Sequence, residues 1–152
     1  MTSIIGTWGL CSIELKHESG NTVYPYGRNV KGLVLYQEDG YMAGIISGDD
    51  RPPVSSPTLI GIANHERAAI ARHFNAYAGR YQVEEKRIIH NIKVSFVPNL
   101  MSGSAHVSNY TLVGDTLTLK STIPSVMQEP NKSIIITWER LKSTRNQEKN
   151  IT

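Results

Sequence analysis

The sequence has 152 residues, of which 39% are hydrophobic and 19% charged, and its formal net charge is +3. This length is typical of a single domain that can bury roughly two thirds of its unfolded surface, so folding requires neither disulfides nor a structural metal. Cys11 is the only cysteine, which excludes an internal disulfide and any multi-cysteine zinc or iron–sulfur site. The small positive charge is not clustered with aromatic residues, so nucleic acid is not an expected partner.

The N-terminal segment lacks the basic region and apolar run of a signal peptide, and no stretch approaches the about 18 apolar residues of a membrane span. We therefore expect a soluble, cytoplasmic protein that does not bind membranes. The five histidines have no compact ligand spacing, and no glycine-rich phosphate loop or nucleophile elbow occurs. Neither a metal nor a cofactor is expected.

Alternating apolar and polar residues, interrupted by turn residues, predict an all-β chain. Eight main strands are predicted, in chain order, at residues 6–17, 31–37, 41–47, 79–84, 87–96, 104–113, 116–121 and 133–141. The second and third are joined through Asp39-Gly40, a pair that supplies the positive φ angles of a tight hairpin. This spacing of short strands favours a sandwich or an up-and-down barrel.

A helix is predicted between the third and fourth main strands. Residues 49–57 contain three prolines and should form a loop. Asn64 can then cap a helix on which Ile70, Phe74 and Tyr77 share one face. We expect this face to pack against the barrel, with a lid over a pocket as the alternative. The predicted domain covers residues 1–142, and residues 143–152, which lack an apolar period, are predicted to form a disordered tail.

A series of short blocks carries a resemblance that covers residues 6–141. Gly6-Thr7-Trp8 matches the Gly-x-Trp pattern that opens the first lipocalin strand. The other blocks are Asp39-Gly40-Tyr41-Met42, Asp50-Arg51-Pro52-Pro53, Ala78-Gly79-Arg80-Tyr81, residues 90–98, Gly114-Asp115-Thr116-Leu117-Thr118-Leu119 and Trp138-Glu139-Arg140. In order and spacing they resemble the recurring blocks of the lipocalin-like domain family, small single-domain relatives of the lipocalins with a calycin-type barrel.

This resemblance implies a closed, eight-stranded antiparallel barrel whose interior can hold one small ligand. It also implies that Arg140 packs across the ring of Trp8, a cation–π contact with a structural role. The chain departs from the family pattern between Gly103 and Gly114, where an arginine is expected and none occurs. An anionic ligand bound through that position is therefore not expected here.

Strand alternation predicts which side chains point into the barrel. His90 shares a face with Ile88, Ile92, Val94 and Phe96. Tyr81 is predicted to point inward from the fourth main strand. The sixth places His106, Ser108, Tyr110 and Leu112 on one side. The first places Trp8, Leu10, Ser12 and Glu14 together, although Ile13 and Leu15 on its opposite face compete for the same interior.

The inward polar residues suggest candidate roles. His90 is the predicted general acid or base, Tyr81 and Tyr110 the predicted donors to a ligand oxygen, and Glu14 the residue that orients or shares the proton. The predicted ligand-binding residues are His106, Met42, Tyr77, Phe74, Phe96, Trp138 and Ser12.

Two functions remain open. The first is a cofactor-independent isomerase or cyclase that encloses a largely apolar or polycyclic small molecule, as the resemblance to proteins of natural-product (secondary metabolite) pathways suggests. The alternative is a non-catalytic binding protein for a small hydrophobic ligand, which needs only apolar walls and one or two orienting hydrogen bonds. A homodimer is left open.

Overall fold

A computed structural model describes residues 3–121 and 132–145. Within these ranges the chain forms nine strands, one α-helix and one 3₁₀ turn. The elements are β1 (Gly6–His17), β2 (Thr22–Val23), β3 (Lys31–Tyr36), β4 (Tyr41–Ser47), α1 (Asn64–Ala71), β5 (Phe74–Val83), β6 (Arg87–Ser95), the 3₁₀ turn (Pro98–Met101), β7 (His106–Val113), β8 (Thr116–Ser121) and β9 (Lys132–Arg140).

The strands form one closed antiparallel sheet. Neighbours follow the order β1-β3-β4-β5-β6-β7-β8-β9, and β9 pairs back with β1. The closing pair runs from Trp8 opposite Arg140 to His17 opposite Lys132. The two-residue strand β2 lies beside the far end of β1. The predicted eight-stranded barrel is confirmed, with β2 as a short addition.

A β-bulge at Cys11 changes which residues of β1 face inward. Leu10 pairs with Trp138 and Ser12 with Thr137, so Cys11 is an extra residue without a counterpart in β9. Because a bulge shifts the alternation by one residue, Ile13 and Leu15 point inward beyond it. The predicted inward positions of Ser12 and Glu14 are therefore wrong. The Glu14 carboxylate lies instead 3.9 Å from the Lys16 ammonium.

A second bulge, at Lys93 in β6, has the same effect. Ala78 pairs with Val94 but Gly79 pairs with Ile92. Val94 and Phe96 consequently point outward, with 66% and 46% of their surfaces exposed, and the prediction that they face the interior is wrong. β5 approaches the bulged strand closely at Gly79. Only glycine fits there, because a Cβ would lie 2.1 Å from the Asn91 carbonyl oxygen.

The helix is shorter than predicted and begins differently. It ends at Ala71, and Phe74 starts β5 by pairing with Ser47, so Phe74 and Tyr77 do not belong to a helical face. The N-cap residue is Ala63 rather than Asn64. The Glu66 carboxylate accepts a hydrogen bond from the Ala63 amide at 3.2 Å, which satisfies one of the amides that a helix start leaves unpaired.

One half of the barrel is filled by large side chains. The least exposed, all below 2%, are Trp8, Trp138, Tyr36, Ile88, Leu117 and Val34. The Arg140 guanidinium lies 4.3 Å from the Trp8 ring centroid, as predicted. It also donates to the carbonyl oxygen of Ile5 at 2.9 Å and to that of Ser3. These contacts fasten the N-terminal segment across this end of the barrel.

Residues 141–145 belong to no strand or helix, and the rest of the predicted tail, 146–152, lies outside the described residues. Within the described ranges, no helix combines the length and apolar character that a membrane crossing requires.

Replacing Arg140 by Met should lower the free energy of unfolding by about 1–3 kcal/mol, because the cation–π contact and two charge-assisted hydrogen bonds are lost. Urea unfolding monitored by tryptophan fluorescence measures the change. Arg145→Met, at an exposed position, is the control and should leave stability within about 0.5 kcal/mol. Equal stability of both variants would contradict the structural role of Arg140.

Candidate functional site

The other half of the barrel is hollow. It contains a cavity of about 340 Å³, within the size range of small-molecule sites. Its apolar wall comes mainly from β1, β4, β6, β8 and β9, and includes Ile13, Ile46, Ile92, Leu119, Ile134 and Ile136. Two surface depressions near Arg80 and near Lys86 are lined by polar and charged residues. The interior cavity is therefore the candidate site for an apolar ligand.

His90 lies where the filled half meets the cavity. Its Nε2 atom lies 2.8 Å from the Tyr36 hydroxyl, and only 7% of its surface is exposed. Burial and, secondarily, the charge of His106 lower the pKa of His90 to about 4. Burial, with Tyr77 and Tyr81 nearby, raises the pKa of Tyr36 well above its ordinary value. Both groups are neutral near pH 7, so this pair is a hydrogen-bonding element without charge.

Two further polar atoms of the cavity wall are unpaired. His106 lies opposite His90 in the β6–β7 register, and its Nε2 atom is buried. The Oδ1 atom of Asn75, near the start of β5, is buried as well. Neither atom has a hydrogen-bond partner among residues 3–121 and 132–145. An unpaired buried polar atom costs about 1–3 kcal/mol, which a bound hydroxyl or carbonyl group can recover.

Tyr77 and Tyr26 add two phenol groups to the wall. The end of the Tyr77 ring occupies space that only a glycine at position 44 leaves open, since a Cβ there would lie 2.7 Å from Tyr77 Cζ. Burial, with a contribution from Tyr26, raises the pKa of Tyr77 to about 12. Burial also raises the pKa of Tyr26. Both phenols are neutral near pH 7 and can donate hydrogen bonds.

Of the predicted site residues, the structure brings His90, His106 and Tyr77 together around the cavity. The Tyr81 ring packs edge-on against Tyr36, with 4.9 Å between centroids. Its hydroxyl donates to the Gln37 carbonyl oxygen at 2.6 Å, at the opposite end of the barrel. The expectation that this hydroxyl points into the cavity is wrong.

The remaining predicted residues do not line the cavity. Met42 and Trp138 belong to the buried core of the filled half, and Tyr110 packs against it. Phe74 and Phe96 contact each other with ring centroids 5.5 Å apart, outside the cavity lining. Ser12 and Glu14 are turned away by the bulge at Cys11.

Sequence reasoning missed Asn75 and Tyr26. Asn75 falls in a segment whose apolar spacing fitted a helix, and its inward direction follows only from the pairing of β5 with β4. Tyr26 belongs to the loop between β2 and β3, where strand alternation predicts nothing. An aromatic residue next to Pro25 was the only available signal.

A model of the lipocalin-like domain matches residues 5–141. The chain belongs to the lipocalin-like domain family. This finding confirms the resemblance drawn from the Gly-x-Trp block and the blocks that follow it. One relative of this lipocalin-like protein is the 4'-hydroxy-3'-methoxypropiophenone carrier protein of Aspergillus oryzae, which is 29% identical over 86 residues, or 51% of this chain and 77% of the relative.

The low pKa of His90 makes the stability of the protein depend on pH. Folding lowers this pKa from 6.5 to about 4, so between these values the unfolded chain binds a proton that the folded protein does not. The contribution of neutral His90 to the free energy of unfolding is complete above pH 6.5 and is lost as the pH falls to about 4. Over that range His90 should account for a decrease of about 3 kcal/mol in the free energy of unfolding.

Urea unfolding at a series of pH values tests this dependence, with His90→Gln as the comparison. Glutamine can accept the Tyr36 hydrogen bond but cannot titrate, and the other titrating groups act in both proteins. The variant should therefore lose less stability on acidification, by about 3 kcal/mol. Parallel pH profiles for the two proteins would contradict the buried, neutral state of His90.

Proposed function

We propose that this barrel is a carrier for a small, uncharged, largely apolar molecule that contains an aromatic ring. The observation that carries the proposal is the cavity of about 340 Å³ with isoleucine and leucine walls and several neutral polar groups. Burying an aromatic ring against such walls supplies most of the affinity, and a few hydrogen bonds fix its orientation.

The Aspergillus oryzae relative supports this ligand class. Its name specifies an aryl ketone with one hydroxyl and one methoxy group. Such a molecule combines an apolar ring with a few uncharged hydrogen-bonding groups, which is the combination that the cavity offers. For a ligand of this size we expect a Kd of roughly micromolar magnitude, about −8 kcal/mol.

An isomerase or cyclase acting in natural-product biosynthesis is the second candidate. The observation in its favour is that two imidazoles, His90 and His106, lie opposite each other on adjacent strands and both line the cavity. Against proton transfer by His90 is its pKa of about 4, because a general base works best when its pKa is near the working pH. An enzyme of this kind would depend on enclosure and orientation of the substrate.

Isothermal titration with 4'-hydroxy-3'-methoxypropiophenone tests the carrier proposal, with Ile134→Trp as the blocking variant. Ile134 lines the cavity, so a larger ring there should weaken binding at least about tenfold through loss of space. Ile135→Trp is the matched control, because it changes the same residue type one position along β9, where the side chain points outward. Equal affinities of the two variants, or no binding by the wild type, would contradict the proposal.

Turnover distinguishes the two candidates. The wild type should release the bound ketone chemically unchanged after prolonged incubation, as judged by NMR of the recovered compound. Conversion of this or another bound compound to an isomer by the wild type would replace the carrier proposal with the catalytic one.

A further inference from the structure

The cavity wall contains two buried hydrogen-bonding atoms whose requirements restrict the ligand further. These are Asn75 Oδ1 and His106 Nε2, neither of which has a partner among the described residues. Both side chains line the same cavity, one from β5 and the other from β7. A ligand that forms hydrogen bonds to these two atoms offsets the free-energy cost of burying them, and a ligand that leaves them unpaired does not. The two atoms therefore discriminate between ligands of similar shape.

Asn75 Oδ1 and His106 Nε2 require different hydrogen-bonding groups on the ligand. An amide oxygen is only an acceptor, so Asn75 Oδ1 needs a hydroxyl or an N–H group on the ligand. A neutral imidazole nitrogen either donates or accepts, so His106 Nε2 can donate to a carbonyl oxygen in one of its tautomers. A molecule with a hydroxyl and a separate carbonyl satisfies both.

The absence of charged side chains from the described part of the cavity lining restricts the class of ligand further. Among the described residues that line the cavity there is no Lys, Arg, Asp or Glu. A ligand carboxylate would therefore be taken out of water without a lysine or arginine counter-ion, which is strongly unfavourable. The wall is suited to a neutral ligand.

We propose that Asn75 and His106 are the specificity-determining residues of the cavity, and that they select a neutral hydroxyaryl ketone over its methylated and its acidic analogues. This inference rests on the proposed carrier function and adds the polar contacts that define its ligand. Asn75 accepts from the ring hydroxyl, and His106 donates to the ketone oxygen.

Calorimetry with matched ligands tests the contact of Asn75. The wild type should bind 4'-hydroxy-3'-methoxypropiophenone at least about tenfold more tightly than 3',4'-dimethoxypropiophenone, which cannot donate. Asn75→Leu, which keeps the approximate shape, should remove this preference by weakening the hydroxylated ligand alone. Asn91→Leu is the control, because Asn91 follows His90 in β6 on the opposite face, and it should retain the wild-type preference.

The contact of His106 is tested with a ligand that lacks the ketone. His106→Phe should weaken binding of the hydroxylated ketone about tenfold and leave binding of 2-methoxy-4-propylphenol within about twofold. The acid 4-hydroxy-3-methoxybenzoate should bind the wild type at least about a hundredfold more weakly than the ketone.

The outcomes separate this inference from the carrier proposal. If the wild type binds the ketone but Asn75→Leu weakens the hydroxylated and dimethoxy ligands equally, the specificity inference is overturned and the carrier proposal stands. Tight binding of the acid by the wild type would overturn it in the same way. If the wild type binds none of these ring compounds, both fail.

Discussion

The closure of the sheet by β1 and β9 is the constraint on which the interior depends. This pairing runs the length of both strands and contains the bulge at Cys11. Before the bulge, Trp8 and Leu10 fill the barrel; beyond it, Ile13 and Leu15 line the cavity opposite Ile134 and Ile136. Because the extra residue reverses the alternation, the bulge turns Ile13 and Leu15 inward and so supplies an apolar wall where the interior becomes hollow.

Much of the fold could be predicted from the sequence, because its determinants are local. Strand alternation and the Asp39-Gly40 hairpin predicted the main strands. The closed barrel and the contact of Arg140 with Trp8 were predicted through the resemblance to the lipocalin-like domain family. The site was less predictable. Bulges depend on how two strands distant in sequence pair with each other. The changes in side-chain alternation that turn Glu14 and Phe96 outward therefore cannot be read from the sequence near those residues. The apolar spacing of residues 70–77 fits a helix equally well until the pairing with β4 decides it.

The chemistry of the cavity depends on how completely its polar groups are buried. His90 is held against Tyr36 beneath the cavity, and its burial disfavours the charged imidazolium. The phenols of Tyr77 and Tyr26 remain protonated for the same reason. Neutral His90, Tyr77 and Tyr26 are well suited to orienting an uncharged molecule and poorly suited to supplying or removing protons near pH 7. This balance is the physical reason to prefer a carrier.

The buried tryptophan and tyrosine side chains of the filled half also restrict how a small molecule could reach the cavity. With Trp8, Tyr36 and Trp138 packed across one end, a molecule cannot traverse the barrel from end to end. The cavity lies on the other side of these rings, where Tyr26 and Leu100 belong to its lining. A molecule bound in the cavity would therefore have to enter and leave on the cavity side of these rings, and a second molecule could not displace it from the filled side.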